Sequence, residues 1–120
     1  MKIAILGAGR VGSSLARNLS NNNYEVSIVD EDKDKIDALQ EKLDIGCVVG
    51  HAAHQDSFKK LGIDEDTIVI AVTSNDEVNI IACQIAKKQF NAKKTICRFK
   101  DSEYINNLSI FGDNIIDIPI

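Results

Sequence analysis

Apolar residues along this chain come in short unbroken runs, separated by stretches where they recur every three or four positions. Short runs bounded by turn signals read as buried strands, and the 3-4 spacing reads as an amphipathic helix. Lys2–Leu6 is the first such strand, and Val11 to Leu19 the first helix, closed by the polar turn Asn21-Asn22-Asn23. Glu25–Asp30 is a second strand. Asp32 to Leu43 follows as a helix with Ile36, Leu39, Gln40 and Leu43 on one face. Acidic residues crowd its first turn, where they favour the helix dipole. Ile45–Val49 reads as a third strand closed by Gly50, His51–Gln55 as a loop, and Asp56–Leu61 as a short helix stopped by Gly62.

After the acidic turn Asp64-Glu65-Asp66, Thr67–Val72 is apolar almost without a break. That suits a central parallel strand covered on both faces. Thr73–Glu77 is a polar loop rich in capping residues. Val78–Phe90 reads as a long helix with Ile81, Ala82, Ile85 and Ala86 facing inward. A fifth strand over Thr95–Phe99, a helix over Ser102–Phe111 closed at Gly112, and a sixth strand over Asn114–Ile118 complete the pattern.

Strands that alternate with helices require a parallel sheet with right-handed crossovers. The predicted architecture is therefore α/β, a Rossmann-type doubly wound parallel sheet of six strands in the order 3-2-1-4-5-6. That order puts the first and fourth strands side by side at the switch point. Gly7 to Gly12, Asp30, Gly50 to Ala52 and Thr73 to Glu77 then gather around one crevice.

Composition narrows the functional classes. A chain of 120 residues makes one domain, large enough to bury roughly two-thirds of its unfolded surface. Its net charge of -4 argues against a nucleic-acid partner, which needs a clustered positive face. Lys87, Lys88, Lys93 and Lys94 form the densest basic patch and read as a solvated helix end and loop. No apolar run approaches the ~20 residues of a membrane span, so the chain is not expected to cross a membrane itself. Met1 leads straight into a strand, so no signal peptide is expected. Cys47, Cys83 and Cys97 are odd in number and widely spaced, as reduced, mostly buried thiols of a cytosolic protein would be. His51 and His54 have no Cys or carboxylate at ligand spacing, so no metal site is expected.

The chemistry lies in Gly7-Ala8-Gly9-Arg10-Val11-Gly12, a G-x-G-x-x-G turn between a strand and a helix. Gly7 permits the tight turn, Gly9 lets a pyrophosphate approach the backbone, and Gly12 lets the helix pack close to the sheet. The helix N-terminus offers free N–H groups and a positive dipole end to phosphates. Asp30, 21 positions after Gly9, fits the acidic residue that accepts hydrogen bonds from both ribose hydroxyls and repels a 2′-phosphate. Asp30 could instead cap the next helix, a task for which Asp32 is equally suited.

Later segments are more discriminating: Gly50-His51-Ala52-Ala53-His54, Ala71-Val72-Thr73 followed by Asp76-Glu77-Val78-Asn79, Cys83-Gln84, and Arg98-Phe99-Lys100-Asp101-Ser102-Glu103-Tyr104. With the glycine turn and Val29-Asp30, they make the chain resemble the RCK or KTN nucleotide-binding domains of potassium-transport regulators. The likeness runs over the whole chain and is nearest to the N-terminal domain of the TrkA-type subunits of Trk systems. The resemblance implies that NAD(H), or ATP and ADP, binds as an effector rather than a substrate. It implies that Arg10 and Arg98 reach the phosphates, that His51 and Ala52 border the adenine, and that Thr73, Ser74 and Asp76 line the far half. The expected nucleotide-binding set is then Gly7, Ala8, Gly9, Arg10, Val11, Gly12, Asp30, Glu31, Gly50, His51, Ala52, Thr73, Ser74, Asp76, Glu77 and Arg98. Plainer readings exist: Arg10 as a solvated helix residue, Arg98 paired with Asp101 or Glu103, and His51 as an ordinary loop residue.

The resemblance further implies a potassium-translocating membrane subunit as partner and a cytoplasmic place at the inner face of the cell membrane. It also implies assembly into dimers or larger rings. Tyr104, Ile105, Leu108, Ile110, Phe111, Ile115 and Ile116 carry much apolar surface at a sheet edge, part of it expected at a contact between copies. Proteins of this type usually carry a second, smaller domain, so residues 1–120 read as a single nucleotide-binding domain, whole or cut from a longer protein. The other function considered is the nucleotide-binding domain of an NAD-dependent dehydrogenase. Such an enzyme needs a substrate pocket and a placed acid or base. The Tyr-x-x-x-Lys pair of single-domain reductases is missing, since Tyr24 is followed four positions on by Ile28 and Tyr104 by Leu108. No catalytic residue is therefore expected.

Overall fold

The computed structural model describes residues 1–120. Six parallel strands form one sheet: β1 (Lys2–Leu6), β2 (Glu25–Asp30), β3 (Gly46–Val49), β4 (Thr67–Ala71), β5 (Lys94–Cys97) and β6 (Ile118–Pro119). Their order is β3-β2-β1-β4-β5-β6, the doubly wound order read from the alternation of elements. The connecting helices are α1 (Arg10–Ser20), α2 (Lys33–Lys42), α3 (Gln55–Leu61), α4 (Asp76–Phe90) and α5 (Ser102–Ile105), with a 3-10 helix over Leu108–Phe111.

Alternation along the central strands divides the core in two. Ile3, Ile5, Val26, Ile28, Ile70 and Val72 point to one face and pack on Ala16 of α1 and Ile36 and Leu39 of α2. Ala4, Leu6, Val29, Val69 and Ala71 point to the other, against Phe58 of α3 and Ile80, Cys83 and Ala86 of α4. Both faces of β1 and β4 are thus covered, which is why these strands read as continuous apolar runs.

The structure corrects three parts of the pattern. α4 starts at Asp76, two residues before the predicted start, because the Asn75 side chain caps it by accepting from the Val78 amide at 3.0 Å. Its buried stripe is Asn79, Ile80, Ala82, Cys83 and Ala86, while Ile81 is 46% exposed. The polar Asn79 hid the true phase of that stripe. The helix predicted over Ser102–Phe111 breaks after Ile105. There the Asn107 side chain donates to the Glu103 carbonyl at 2.9 Å, and such local bonds compete with helix continuation. The strand predicted over Asn114–Ile118 shrinks to Ile118–Pro119. Asn114 adopts φ 59°, and at Asp117 the pairing is half side chain: its carboxylate takes the Thr95 amide at 2.9 Å, while its own amide donates to the Thr95 carbonyl at 3.1 Å.

Smaller departures follow from the same geometry. Gln40 of α2 is exposed, so the buried stripe of that helix is Ile36 and Leu39. Ile115 is buried, and Tyr104, Leu108, Phe111 and Ile116 pack partly on the core, but Ile105 and Ile110 stay exposed, at 38% and 70%. Cys83 and Cys97 are buried free thiols, and Cys47 is a half-buried one. The Cys83 thiol is pushed upward by its contact with Cys97 and by burial.

Candidate functional site

The C-terminal ends of β1, β2, β4 and β5 open onto one cavity of about 610 Å³, within the roughly 300–1,000 Å³ of small-ligand sites. Its wall comprises Gly7, Gly9, Arg10, Val11, Val29, Asp30, Glu31, Lys35, His51, Ala52, Val72, Thr73, Ser74, Asn75, Val78 and Arg98. A crevice at this place is what a reversal of strand order between β1 and β4 creates.

The glycine turn owes its shape to local packing. Gly7 sits at φ +110°, and a Cβ there would lie 3.0 Å from the Thr73 amide nitrogen. A Cβ on Gly12 would lie 1.8 Å from the Gly7 carbonyl oxygen, so α1 can cross the turn only if position 12 has no side chain. A Cβ on Gly9 would meet nothing within 4 Å, which leaves the backbone open to a ligand on the cavity side. No side chain caps α1, whereas Asp32, Asn75 and Asp101 cap α2, α4 and α5. The positive end of the α1 dipole therefore faces the cavity without a protein carboxylate in its first turn.

Asp30 joins the turn to β2. One carboxylate oxygen accepts from the Ala8 amide at 2.7 Å, the other from the Asp32 amide at 2.8 Å. Each oxygen keeps a lone pair for a further donor. The capping task falls to Asp32, which accepts from the Asp34 and Lys35 amides. Arg98 follows β5, and its amide donates to Ala71 at 3.0 Å. Its guanidinium pairs with neither Asp101 nor Glu103. The ion pairs of this chain are Lys2–Asp64, Lys33–Asp37, Lys60–Asp56 and Lys87–Asp117, which leaves Arg10, Lys35 and Arg98 on the cavity wall with no carboxylate partner.

His51 also lines the cavity. Its Nδ1 accepts from the Ala53 amide at 3.0 Å, and its ring stacks on His54 at 4.1 Å between centroids. The two rings lie face to face and do not converge on a common point.

Eleven of the sixteen expected site residues line the cavity: Gly7, Gly9, Arg10, Val11, Asp30, Glu31, His51, Ala52, Thr73, Ser74 and Arg98. Ala8, Gly12 and Gly50 lie behind the wall. Ala8 holds Asp30, Gly12 seats α1, and a Cβ on Gly50 would meet Ser57 Oγ at 2.6 Å. Asp76, expected on the far half, and Glu77, expected in the binding set, face elsewhere. The Asp76 carboxylate accepts the Lys100 and Asp101 amides at 2.9 Å, and Glu77 accepts the Tyr104 hydroxyl at 2.7 Å. That bond raises the Tyr104 phenol above its ordinary value. Lys35 lines the cavity without having been singled out, and Asn75 lines it as part of the Thr73–Glu77 loop expected there. Lys35 lies in the first turn of α2, which begins at Lys33, and no spacing in the sequence ties it to the glycine turn.

A profile of the TrkA-N domain matches residues 3–118. The chain belongs to the TrkA-N domain family. It is 43% identical over 105 residues to the Trk system potassium uptake protein TrkA of Vibrio alginolyticus, an alignment that covers 88% of this chain and 23% of that protein. It thus spans about a quarter of the length of such relatives. Two solved structures share the TrkA-N fold at 18% identity. The TrkA-N domain of the inner membrane protein YbaL from Escherichia coli superposes with a TM-score of 0.86, covering 99% of this chain and 85% of that one. The GsuK channel bound to NAD superposes with a TM-score of 0.78, covering 99% and 21%.

Proposed function

We propose that the cavity binds a nucleotide, NAD(H) or alternatively ATP or ADP, as an effector, and that residues 1–120 are the nucleotide-sensing domain of a Trk-type potassium transport system. The observation that carries this reading is the charge inventory of the cavity. In a chain of net charge -4, three cations without carboxylate partners and the dipole end of α1 line one crevice. A polyphosphate satisfies such a set. Asp30, anchored beside the glycine turn at the end of β2, supplies free lone pairs for a ribose diol.

The name of the Vibrio relative supports the transport role, and the NAD in the GsuK structure supports the ligand class. On this reading the chain acts with a potassium-translocating membrane subunit at the inner face of the membrane and assembles with copies of itself. None of its helices is long and apolar enough to cross a membrane. An effector site needs different affinity in two conformations and no bond-making groups. The wall offers glycines, hydroxyls, cations and the Asp30 and Glu31 carboxylates, with His51 as its sole imidazole.

Calorimetry with NADH, NADPH and ATP tests the reading. NADH and ATP are expected to bind. NADPH is expected to bind at least tenfold more weakly, about 1.4 kcal/mol, because the Asp30 carboxylate faces its added phosphate. Equal affinity for NADH and NADPH would remove Asp30 from the site. Oxidation of NADH in the presence of small carbonyl compounds, lost in His51→Ala, would restore the dehydrogenase reading.

A further inference from the structure

We propose that Asn79, buried behind the cavity wall, is a positioning residue that sets the spacing between Thr73 and Arg98 and so controls recognition of the phosphate half of the ligand. The proposal rests on the reading that the cavity takes a nucleotide. Asn79 lies on α4 and is 0% exposed, and its side chain makes hydrogen bonds to the cavity wall only through these two residues.

The β4–β5 ladder ends at the pair Ala71 and Cys97. Beyond it the two strands carry Thr73 and Arg98 into the cavity wall, and the Asn79 carboxamide takes over as the bridge. Its oxygen accepts the Thr73 amide at 3.0 Å and the Thr73 hydroxyl at 2.6 Å. Its nitrogen donates to the Thr73 carbonyl at 3.1 Å and to the Arg98 carbonyl at 3.0 Å. The backbone partners fix the orientation, because only the amide nitrogen can serve two carbonyls. Both donors and both acceptor sites of the side chain are used, and no buried polar side-chain atom in the chain is left without a partner.

A buried, fully satisfied amide of this kind holds its partners in one arrangement. No other side chain makes hydrogen bonds to both Thr73 and Arg98. Thr73 in turn holds the next loop, since its hydroxyl accepts the Asn75 amide at 3.2 Å. The adenosine end is independent of this bridge. Asp30 ends β2, on the far side of β1 from β4 and β5, and is held by Ala8 and Asp32 instead. Removing the Asn79 bridge should thus loosen the phosphate end and spare the ribose end.

Asn79→Asp tests this with no change of shape. The carboxylate still accepts from Thr73 but cannot donate, so the Thr73 and Arg98 carbonyls face an oxygen. Calorimetry with ADP and with adenosine on the wild type, Asn79→Asp, Arg98→Ala and the double variant separates the outcomes. ADP affinity is expected to fall at least tenfold in Asn79→Asp, with adenosine affinity changed less than twofold. Adding Asn79→Asp to Arg98→Ala should cost less than twofold further. Equal losses for ADP and adenosine, or full additivity with Arg98→Ala, would show a general structural role and overturn the proposal. Wild-type ADP affinity retained in Asn79→Asp overturns it and leaves the nucleotide reading standing, whereas a wild type that binds neither probe overturns both. If Asn79→Asp does not fold, hydrogen exchange on the wild type decides. The Thr73 amide is expected to exchange more slowly with ADP than with adenosine, and equal rates reject the idea.

Discussion

Replacing Asp30 with Ala should destabilise the protein before any ligand is added. The carboxylate accepts two backbone amides, Ala8 at 2.7 Å and Asp32 at 2.8 Å. The first sits in the glycine turn and the second just before α2, so this one side chain ties two loops to the end of β2. Hydrogen bonds to a charged acceptor contribute about 1.5–3 kcal/mol each when buried. Asp30 is only half-buried, and water can reach the freed amides, so about 2–3 kcal/mol in all is the reasonable figure. At the usual unfolding entropy per residue, a chain of 120 residues has a melting entropy near ~0.25 kcal/mol/K, and the midpoint should fall by about 8–12 °C. Differential scanning calorimetry on nucleotide-free protein measures this directly. Asn at position 30 retains one acceptor oxygen and should melt between the two. A midpoint within about 2 °C of wild type for Asp30→Ala would refute the account. The carboxylate would then do nothing for the turn, and its only role could be toward a ligand.

Gly12→Ala should cost more, over about 3 kcal/mol, because its Cβ would lie 1.8 Å from the Gly7 carbonyl oxygen; urea titration would show a much lower midpoint or no folded baseline. Asp117 contributes to the acid limb of stability. Burial pushes its carboxyl upward, but the Lys87 ammonium and the Thr95 amide outweigh this and hold it below the ordinary value. A depressed folded value gives stability that is present above the unfolded value of about 4 and lost as pH falls through the folded one. Asp117→Asn should therefore flatten the fall of melting temperature below about pH 4; an unchanged slope would assign that fall to other carboxylates.

The glycine turn and Asp30 were legible because their spacing is local: one strand, one tight turn, one helix and the next strand fix it. Strand order was legible because strict alternation leaves few ways to wind a parallel sheet. What escaped depends on contacts distant in sequence. Lys35 reaches the cavity only through the rotation of α2 on the sheet. Asp76 looked like a cavity residue until the Lys100 and Asp101 amides turned it away. Asn79 stood in a segment that carries the family resemblance, but its role was hidden because a polar residue in an inward stripe reads as an error of phase, and its partners lie 6 positions before and 19 positions after it. The stretch after Ile105 misled because its apolar residues suit a helix, while Asn107 and Asn114 divert the backbone.

The pairing of β1 also sets a timetable for the newborn chain. This strand is made before both of its neighbours, β2 and β4, and its second flank stays unpaired until Ala71 has been synthesised. At ~5–20 residues per second, a strand of Ile, Ala, Ile and Leu spends several seconds half-covered. Folding of this domain is thus gated by translation of its middle. A ribosome stalled before β4 has emerged should hold a protease-sensitive, chaperone-bound chain, and one stalled after β5 has cleared the exit tunnel should hold the closed sheet.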